Sequence, residues 1–174
     1  MRTDGKFAAG VALFSALAYV SALISVYIPN VSLIFIVVFA AGALFGLTAG
    51  LMVGGLGMFL WTVFNPYGMA SLPITISQIA GMILVGGLGA TMAGSSVVRK
   101  VVSHGFFVFG LLGLVAGLIF QIIVSLVLAW LYGPFWPSLL SNLSFALLTI
   151  LSNAIIFPLC YPLLVRLKNR ERRY

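Results

Sequence analysis

SLIFIVVFAAGALFGLTAGLMVGGLGMFLWTVFNP, residues 32–66, is an apolar run without a charged side chain, and its length decides the fold. The 33 residues of 32–64 would extend about 50 Å as a single α-helix. The hydrocarbon core of a bilayer is only about 30 Å thick. The run therefore either projects far out of a membrane or contains two spans joined by a turn.

The rest of the chain is equally apolar. Of its 174 residues, 63% are hydrophobic and 6% are charged, and the mean hydropathy is +1.24. A soluble domain carries about 25% charged residues. No Asp, Glu, Lys or Arg occurs from Phe7 to Val98 or from Val101 to Val165. Runs of this length and composition indicate stacked membrane spans, so we predict an all-α integral membrane protein.

The basic residues form three clusters that flank the apolar segments. They are Arg2 with Lys6, then Arg99 with Lys100, and finally Arg166, Lys168, Arg170, Arg172 and Arg173. Cytoplasmic segments of membrane proteins are enriched in Lys and Arg. Dividing the long run near FGLTAG (45–50) gives six spans and places all three clusters on one side, whereas an undivided run places the middle cluster on the opposite side. We therefore predict six transmembrane helices with both termini cytoplasmic.

The helix boundaries are expected where proline occurs with Asn or Gly, and at the segment that carries the middle basic cluster. The predicted spans, in a single transmembrane domain covering 1–174, are 7–27, 32–46, 49–64, 72–93, 105–131 and 137–165. The proline-bearing loops 28–32, 65–73 and 132–138 then face outward. The first apolar segment is long enough to span, so we expect it to be retained rather than cleaved as a signal peptide.

The chemistry of the spans excludes several classes of function. No ionisable side chain lies at the predicted hydrocarbon depth, where ion-coupled transporters generally need one. No acid–base or metal-binding set is available for catalysis, and the chain has no GxxxxGK[ST] phosphate loop. We therefore expect no enzyme and no cofactor, and uphill transport would take its energy from another polypeptide. Topology explains the basic clusters, so we expect membrane lipid and no nucleic acid as a partner.

Neutral polar and aromatic side chains gather at the predicted outer ends of the spans. A pocket with apolar walls and a few such groups suits a small, largely uncharged molecule. The candidate substrate-binding residues are Asn30, Asn65, Tyr67, Gln78, Gln121, Trp130, Tyr132, Trp136 and Asn142. Two alternatives stay open. Trp130, Tyr132 and Trp136 also fit an aromatic belt at the membrane surface, and Gln121 and Asn153 also fit hydrogen bonding between helices.

Small residues recur at every fourth position, a spacing that lets helix backbones approach closely in lipid. Gly42, Gly46, Gly50 and Gly54 have this spacing, and Gly110, Gly113 and Gly117 mark the fifth span. We assign most of these glycines to internal packing. Ala8, Ala12 and Ala16 form a similar stripe on the first helix. Internal packing and contact with a partner protein explain that stripe equally well.

In these features the chain resembles the substrate-binding S-components of the energy-coupling factor (ECF) vitamin transporters. The resemblance covers nearly the whole chain. It rests on the size, on six short-looped helices, on FAAGVALFSALAYVSALISVYIP (7–29), and on 32–66 as two helices joined by a tight glycine-bearing turn. In that family an alanine at every fourth position of the first helix docks a shared transmembrane coupling subunit. Ala8, Ala12 and Ala16 match this motif position by position.

The resemblance implies a vitamin importer of a prokaryotic plasma membrane. Its partners would be a transmembrane coupling subunit and two ATPase subunits, and the S-component would topple in the membrane to carry its substrate inward. Residues 28–32 would form a lid, and the outer ends of helices four to six the pocket. No motif diagnostic of the biotin, thiamine, riboflavin or cobalt/nickel members is present, and the N-terminal histidine motif of the metal branch is absent. The resemblance therefore leaves the micronutrient open.

Two further classes of function are compatible with the sequence. A non-transport scaffold subunit of a membrane complex would use the same small-residue stripes, and it would hold no small ligand. A small facilitator would need no energy source, and it would transport its substrate into liposomes without ATP or any partner.

Overall fold

The computed structural model describes residues 4–93 and 105–171, and this part of the chain consists of helices and short loops. The all-α, six-helix prediction is confirmed. The helices are α1 (Asp4–Ala22), α2 (Ile34–Phe45), α3 (Leu47–Phe64), α4 (Leu72–Ala90), α5 (Gly105–Leu131) and α6 (Phe135–Glu171). Two 3₁₀ turns, Leu23–Val26 and Thr91–Ala93, extend α1 and α4. The predicted middle basic cluster, Arg99 with Lys100, lies outside the described residues.

The long apolar run divides at Gly46, within the predicted segment 45–50. This residue separates α2 from α3 and has a φ of +91°. Glycine adopts such left-handed backbone without steric cost, because it has no Cβ. The chain therefore reverses at one residue, and α3 folds back so that Gly50 lies against Gly42 of α2.

Helix α2 is the centre of the bundle and packs against all five other helices. Eight of its 12 residues are buried, and the Phe39 ring makes edge contacts with Phe109 of α5 and Phe157 of α6. Twelve residues extend about 18 Å, which is less than the hydrocarbon core of about 30 Å. The other five helices are long and apolar enough to cross a membrane. The second predicted span is therefore a short helix enclosed by protein.

The segment that leads from α1 into α2 enters the bundle deeply. The carbonyl of Asn30 accepts a hydrogen bond of 3.2 Å from the hydroxyl of Ser152, and Ser152 lies roughly 25 Å along α6 from its first residue. Asn30 itself has a φ of +63°, a conformation in which Asn is enriched among non-glycine residues. Because the connecting segment occupies this depth, α2 starts well inside the bundle. We call the end of the bundle that contains this segment the cavity end.

Glycines let the backbones of α2, α3 and α4 come into direct contact, as the sequence predicts. A Cβ on Gly50 would overlap the Gly86 carbonyl of α4, and a Cβ on Gly54 would overlap the Met82 carbonyl. A Cβ on Gly42 would likewise overlap Gly86. The three backbones are thus in direct contact, a packing mode that membrane helices use because lipid provides no hydrophobic force to bring them together.

Helices α5 and α6 form a long hairpin with the same kind of contact. Gly113 lies against the Asn153 backbone, and Gly117 lies against Ile150. The Asn153 side chain is fully buried, and its Nδ2 donates to the Thr149 carbonyl of its own helix at 2.9 Å. Its hydrogen bond is therefore made within α6 rather than between helices.

At the opposite end of the bundle, Lys168 joins α6 to the end of α4. Its ammonium is buried and donates to the carbonyl of Met92, in the 3₁₀ turn that follows α4. Carbonyls at a helix C-terminus lack an intrahelical donor, and a basic side chain is a favourable partner for them. The contact brings the basic C-terminal segment to the end where α4 finishes, as six alternating helices require.

Candidate functional site

A cavity of about 440 Å³ opens at the cavity end, next to the first turn of α2. All six helices contribute to its wall, with Ala22, Phe35, Trp61, Gln78, Phe120 and Asn142 as one representative of each. The volume falls within the range of roughly 300–1,000 Å³ that is usual for small-molecule sites. The cavity occupies the space beyond the first residue of α2, because this central helix starts deep inside the bundle and does not extend to the cavity end.

Aromatic and sulfur-containing side chains form much of the wall. Phe35 of α2 and Phe120 of α5 meet edge to face, with ring centroids 5.1 Å apart. Trp61, Met58 and Met82 line the same space from α3 and α4. Flat rings and polarisable thioethers make favourable contacts with an aromatic ligand. The wall therefore suits a molecule that contains a planar ring system.

Five of the nine predicted substrate-binding residues line this cavity. Asn30 reaches it from the segment before α2, and Tyr67 from the α3–α4 loop. Gln78, Gln121 and Asn142 reach it from α4, α5 and α6. The structure thus brings together, at one end of the bundle, amides that are far apart in the sequence.

The other four predicted residues lie outside the cavity. Asn65 organises the α3–α4 loop: its Nδ2 donates to the Thr62 and Gly68 carbonyls, and its Oδ1 accepts from the Tyr67 main-chain N–H. Trp130, Tyr132 and Trp136 are 75%, 66% and 71% exposed around the α5–α6 turn. Such exposure is typical of an aromatic belt at a membrane surface, the alternative considered for these three residues.

Sequence reasoning missed the contributions of α1 and α3 to the site. Trp61 is the main example, and Ser125 and Thr149 are two further lining residues that were not predicted. In a transmembrane helix the lipid-facing and protein-facing sides are both apolar, so hydrophobic periodicity does not reveal which side of α3 carries the cavity. The amides were found because a polar group in lipid needs a partner wherever it lies.

Hydrogen bonds between loops close part of the cavity end. The Tyr67 hydroxyl donates to the Val26 carbonyl at 3.1 Å and so joins the α3–α4 loop to the 3₁₀ turn after α1. The Ser152 hydroxyl holds the next part of that connection at Asn30. The segment predicted as a lid, residues 28–32, is thus bonded to α6 at Asn30, and the turn just before it is bonded to the α3–α4 loop at Val26.

The alanine stripe of α1 is exposed on the flank of that helix. Ala8, Ala12 and Ala16 are all exposed, whereas α1 packs on α3 through a different set of small residues. Ser15 and Ala18 are buried on that face, and the Ala18 methyl lies against Gly57. Since successive residues turn by about 100°, the two faces lie roughly a quarter turn apart. Packing within the bundle therefore does not account for the stripe.

A family model described as "ECF-type riboflavin transporter, S component" matches residues 6–169. The chain belongs to this family. No curated protein and no solved structure matches it. As an S-component it is the substrate-specific membrane subunit of an ECF-type transporter rather than an enzyme, and its apolar helices make it a multi-pass membrane protein.

Proposed function

We propose that this S-component captures riboflavin in the cavity and delivers it to an importer that is driven by ATP hydrolysis in separate subunits. The observation that carries the proposal is a cavity of about 440 Å³ with aromatic walls and neutral amides in a chain of the riboflavin S-component family. The cavity supports a neutral aromatic ligand, and the family supports riboflavin as that ligand.

Riboflavin has the chemistry that this lining complements. Its tricyclic ring is flat, with an apolar dimethyl edge and a polar edge of carbonyls and an imide N–H, and it carries a chain of hydroxyls. Phe35, Trp61 and Phe120 would contact the ring, and the amides would bind the polar edge and the chain. Riboflavin is uncharged, and no described residue that lines the cavity is Asp, Glu, Lys, Arg or His. A neutral ligand avoids the cost of placing an unpaired charge there.

The substrate-binding residues of the proposal are Asn30, Tyr67, Gln78, Gln121 and Asn142, with Trp61 added from the structure. Residues 28–32 would act as the lid. Substrate would enter and leave by displacement of this segment. One hydrogen bond joins its Asn30 carbonyl to α6, and one more joins the preceding turn, at Val26, to the α3–α4 loop. Each such bond contributes about 1 kcal/mol, which is small enough for repeated opening.

The exposed stripe of Ala8, Ala12 and Ala16 would dock a transmembrane coupling subunit that is joined to two ATPase subunits. Small side chains let a partner helix approach the α1 backbone closely, and they present few obstacles to sliding. The exposure of all three alanines supports this role. Both termini would be cytoplasmic in a prokaryotic plasma membrane, with the cavity end facing outward, because basic segments favour the cytoplasmic side.

Titration of the purified protein in lipid nanodiscs with riboflavin tests the proposal. We expect one site per chain, detected as quenching of flavin fluorescence, and uptake into liposomes only when the coupling and ATPase subunits and ATP are present. Absence of binding would favour the scaffold reading. Uptake without partners would identify a facilitator instead.

A further inference from the structure

Two of the cavity amides have one end occupied by the protein itself. Gln78 Oε1 accepts a hydrogen bond of 3.3 Å from the Thr62 hydroxyl. Thr62 is only 1% exposed, so this hydroxyl cannot turn to water. The same hydroxyl also lies 2.8 Å from the Met58 carbonyl, one turn earlier in α3. The one hydroxyl hydrogen is thus shared between the Met58 carbonyl and the Gln78 oxygen, and the Met58 contact holds the hydroxyl beside Gln78.

The nitrogen of Gln78 is left for a ligand. Gln78 lines the cavity, and its Nε2 makes no hydrogen bond to any part of the chain that the structure describes. A terminal amide has an acceptor end and a donor end, and occupation of one fixes which end faces the cavity. Gln78 thus offers a donor.

In Asn142 the donor end of the amide is bonded within the protein, and the acceptor end is left. Its Nδ2 donates to the Ser138 carbonyl, one turn earlier in α6, at 3.0 Å. Its Oδ1 has no hydrogen-bond donor within residues 4–93 and 105–171. Asn142 lines the same cavity and so offers an acceptor. Gln121 makes no hydrogen bond among these residues, so its amide is free to turn and sets no orientation.

We propose that Gln78 and Asn142 form a donor–acceptor pair that orients the ligand, and that Thr62 is the positioning residue that fixes Gln78. This deepens the proposed function and rests on it for the identity of the ligand. On riboflavin, Gln78 binds an acceptor, which is a ring carbonyl or ring nitrogen. Asn142 binds a donor, which is the imide N–H or a chain hydroxyl. In a ligand bound the other way round, a donor would meet the Gln78 donor and an acceptor would meet the Asn142 acceptor, so neither hydrogen bond would form.

The matched variants Gln78→Glu and Asn142→Asp test the pair. Both replace an amide by a carboxyl of the same shape, and both add the same charge to the same cavity. At pH 8, Gln78→Glu removes the donor that faces the ligand, whereas Asn142→Asp keeps an acceptor oxygen and loses the bond to the Ser138 carbonyl. We expect the Kd for riboflavin to rise at least about tenfold more for Gln78→Glu than for Asn142→Asp. Lowering the pH should restore binding by Gln78→Glu, because a protonated carboxyl again offers a donor.

Thr62→Val and Thr62→Ser test the positioning role. Valine keeps the shape of threonine without the hydroxyl, so the Gln78 amide can turn, and we expect the Kd to rise about threefold to tenfold. Serine restores the hydroxyl and should restore the wild-type Kd. The apparent melting temperature of each variant without ligand separates this effect from a loss of fold.

Equal effects of the two acidic variants, or a larger effect of Asn142→Asp, would overturn the pair. A Kd of Thr62→Val equal to that of the wild type would overturn the positioning role. In all these cases the wild-type protein still binds riboflavin, so the proposed function stands. Failure of the wild type to bind riboflavin would overturn both proposals.

Discussion

Trp61 is the tryptophan whose position in the fold bears most directly on ligand contact. It lines the cavity, while Trp130 and Trp136 are exposed and lie outside it. An indole in contact with a flavin ring quenches flavin fluorescence by electron transfer. We expect Trp61→Phe to reduce the quenching strongly and to change the Kd by less than about tenfold, since phenylalanine retains an aromatic contact. Fluorescence titration of both proteins measures the two effects separately.

Trp130→Phe is the matched control for this experiment. The side chain is 75% exposed, so its replacement should leave both the quenching and the Kd unchanged. If Trp130→Phe and Trp61→Phe reduced the quenching equally, the flavin would not be in contact with the cavity wall at α3.

Gly50 tests the packing of α3 against α4. An added methyl would overlap the Gly86 carbonyl of α4, which is backbone and cannot turn away. We expect Gly50→Ala to lower the free energy of unfolding by about 1–3 kcal/mol, the usual cost of overpacking. The apparent melting temperature in detergent measures this loss. Gly55→Ala is the control on the same helix, because its methyl would meet only the Ile83 side chain at an ordinary 3.6 Å. Equal melting temperatures would contradict direct backbone contact at Gly50.

At the residue scale, the sequence pointed to part of the cavity lining for a definite physical reason. The amides Gln78, Gln121 and Asn142 were identifiable because an amide in lipid must find a partner. The role of Asn65 was not identifiable from the sequence, because an Asn after a helix can organise a turn or bind a ligand equally well. Trp61 gave no signal, since an aromatic residue within an apolar helix is compatible with either face.

At the scale of single helices, α1 divides its small residues between two faces. Ser15 and Ala18 pack inward, and Ala8, Ala12 and Ala16 lie outward. Four-residue spacing identified the stripe. It did not show whether the stripe is buried in the bundle or exposed, because the same spacing fits internal packing and docking. The division at Gly46 was predictable from membrane thickness and charge. The predicted span 32–46 was already short, but the enclosure of α2 by the other five helices was not predictable, because it depends on contacts between residues far apart in the sequence.

The outward stripe leads to a prediction for coupling. We expect Ala12→Trp to abolish ATP-driven uptake by the complete transporter, because an indole would hold a partner helix away from the α1 backbone. Riboflavin binding by the isolated subunit should be unchanged, since Ala12 is exposed and lies outside the cavity. Uptake into proteoliposomes and fluorescence titration measure the two quantities.

Leu13→Trp provides the control for that experiment. Leu13 is the next residue and is 67% exposed, but it already carries a large side chain off the stripe. This variant should retain most of the uptake. If uptake failed equally in both variants, bulk anywhere on the exposed side of α1 would be harmful, and the docking role of the stripe would be contradicted.

At the scale of the whole molecule, the architecture follows from how helices of unequal length share one membrane. Of the six helices that the structure describes, five are long enough to span it, and they surround a sixth that is not. The space left beside α2 becomes a cavity at one end only, because backbone contacts among α2, α3 and α4 continue from Gly42 to Gly54 below it. Charge patterning and segment length predicted the number of helices. The location of the cavity between all six required the structure.

The absence of basic side chains from this cavity gives a prediction about selectivity. FMN is riboflavin with a phosphate at the end of its chain, and the phosphate is dianionic at neutral pH. No Lys, Arg or His is found among the described residues that line the cavity, so the phosphate would lose hydration without gaining a counter-charge. We expect the Kd for FMN to exceed that for riboflavin by at least about 100-fold in the same fluorescence titration. Raising the salt concentration should not close this gap, because the cause is desolvation rather than repulsion by surface charge. If FMN bound as tightly as riboflavin, the end of the ligand chain would lie outside the cavity, and capture would involve the ring alone.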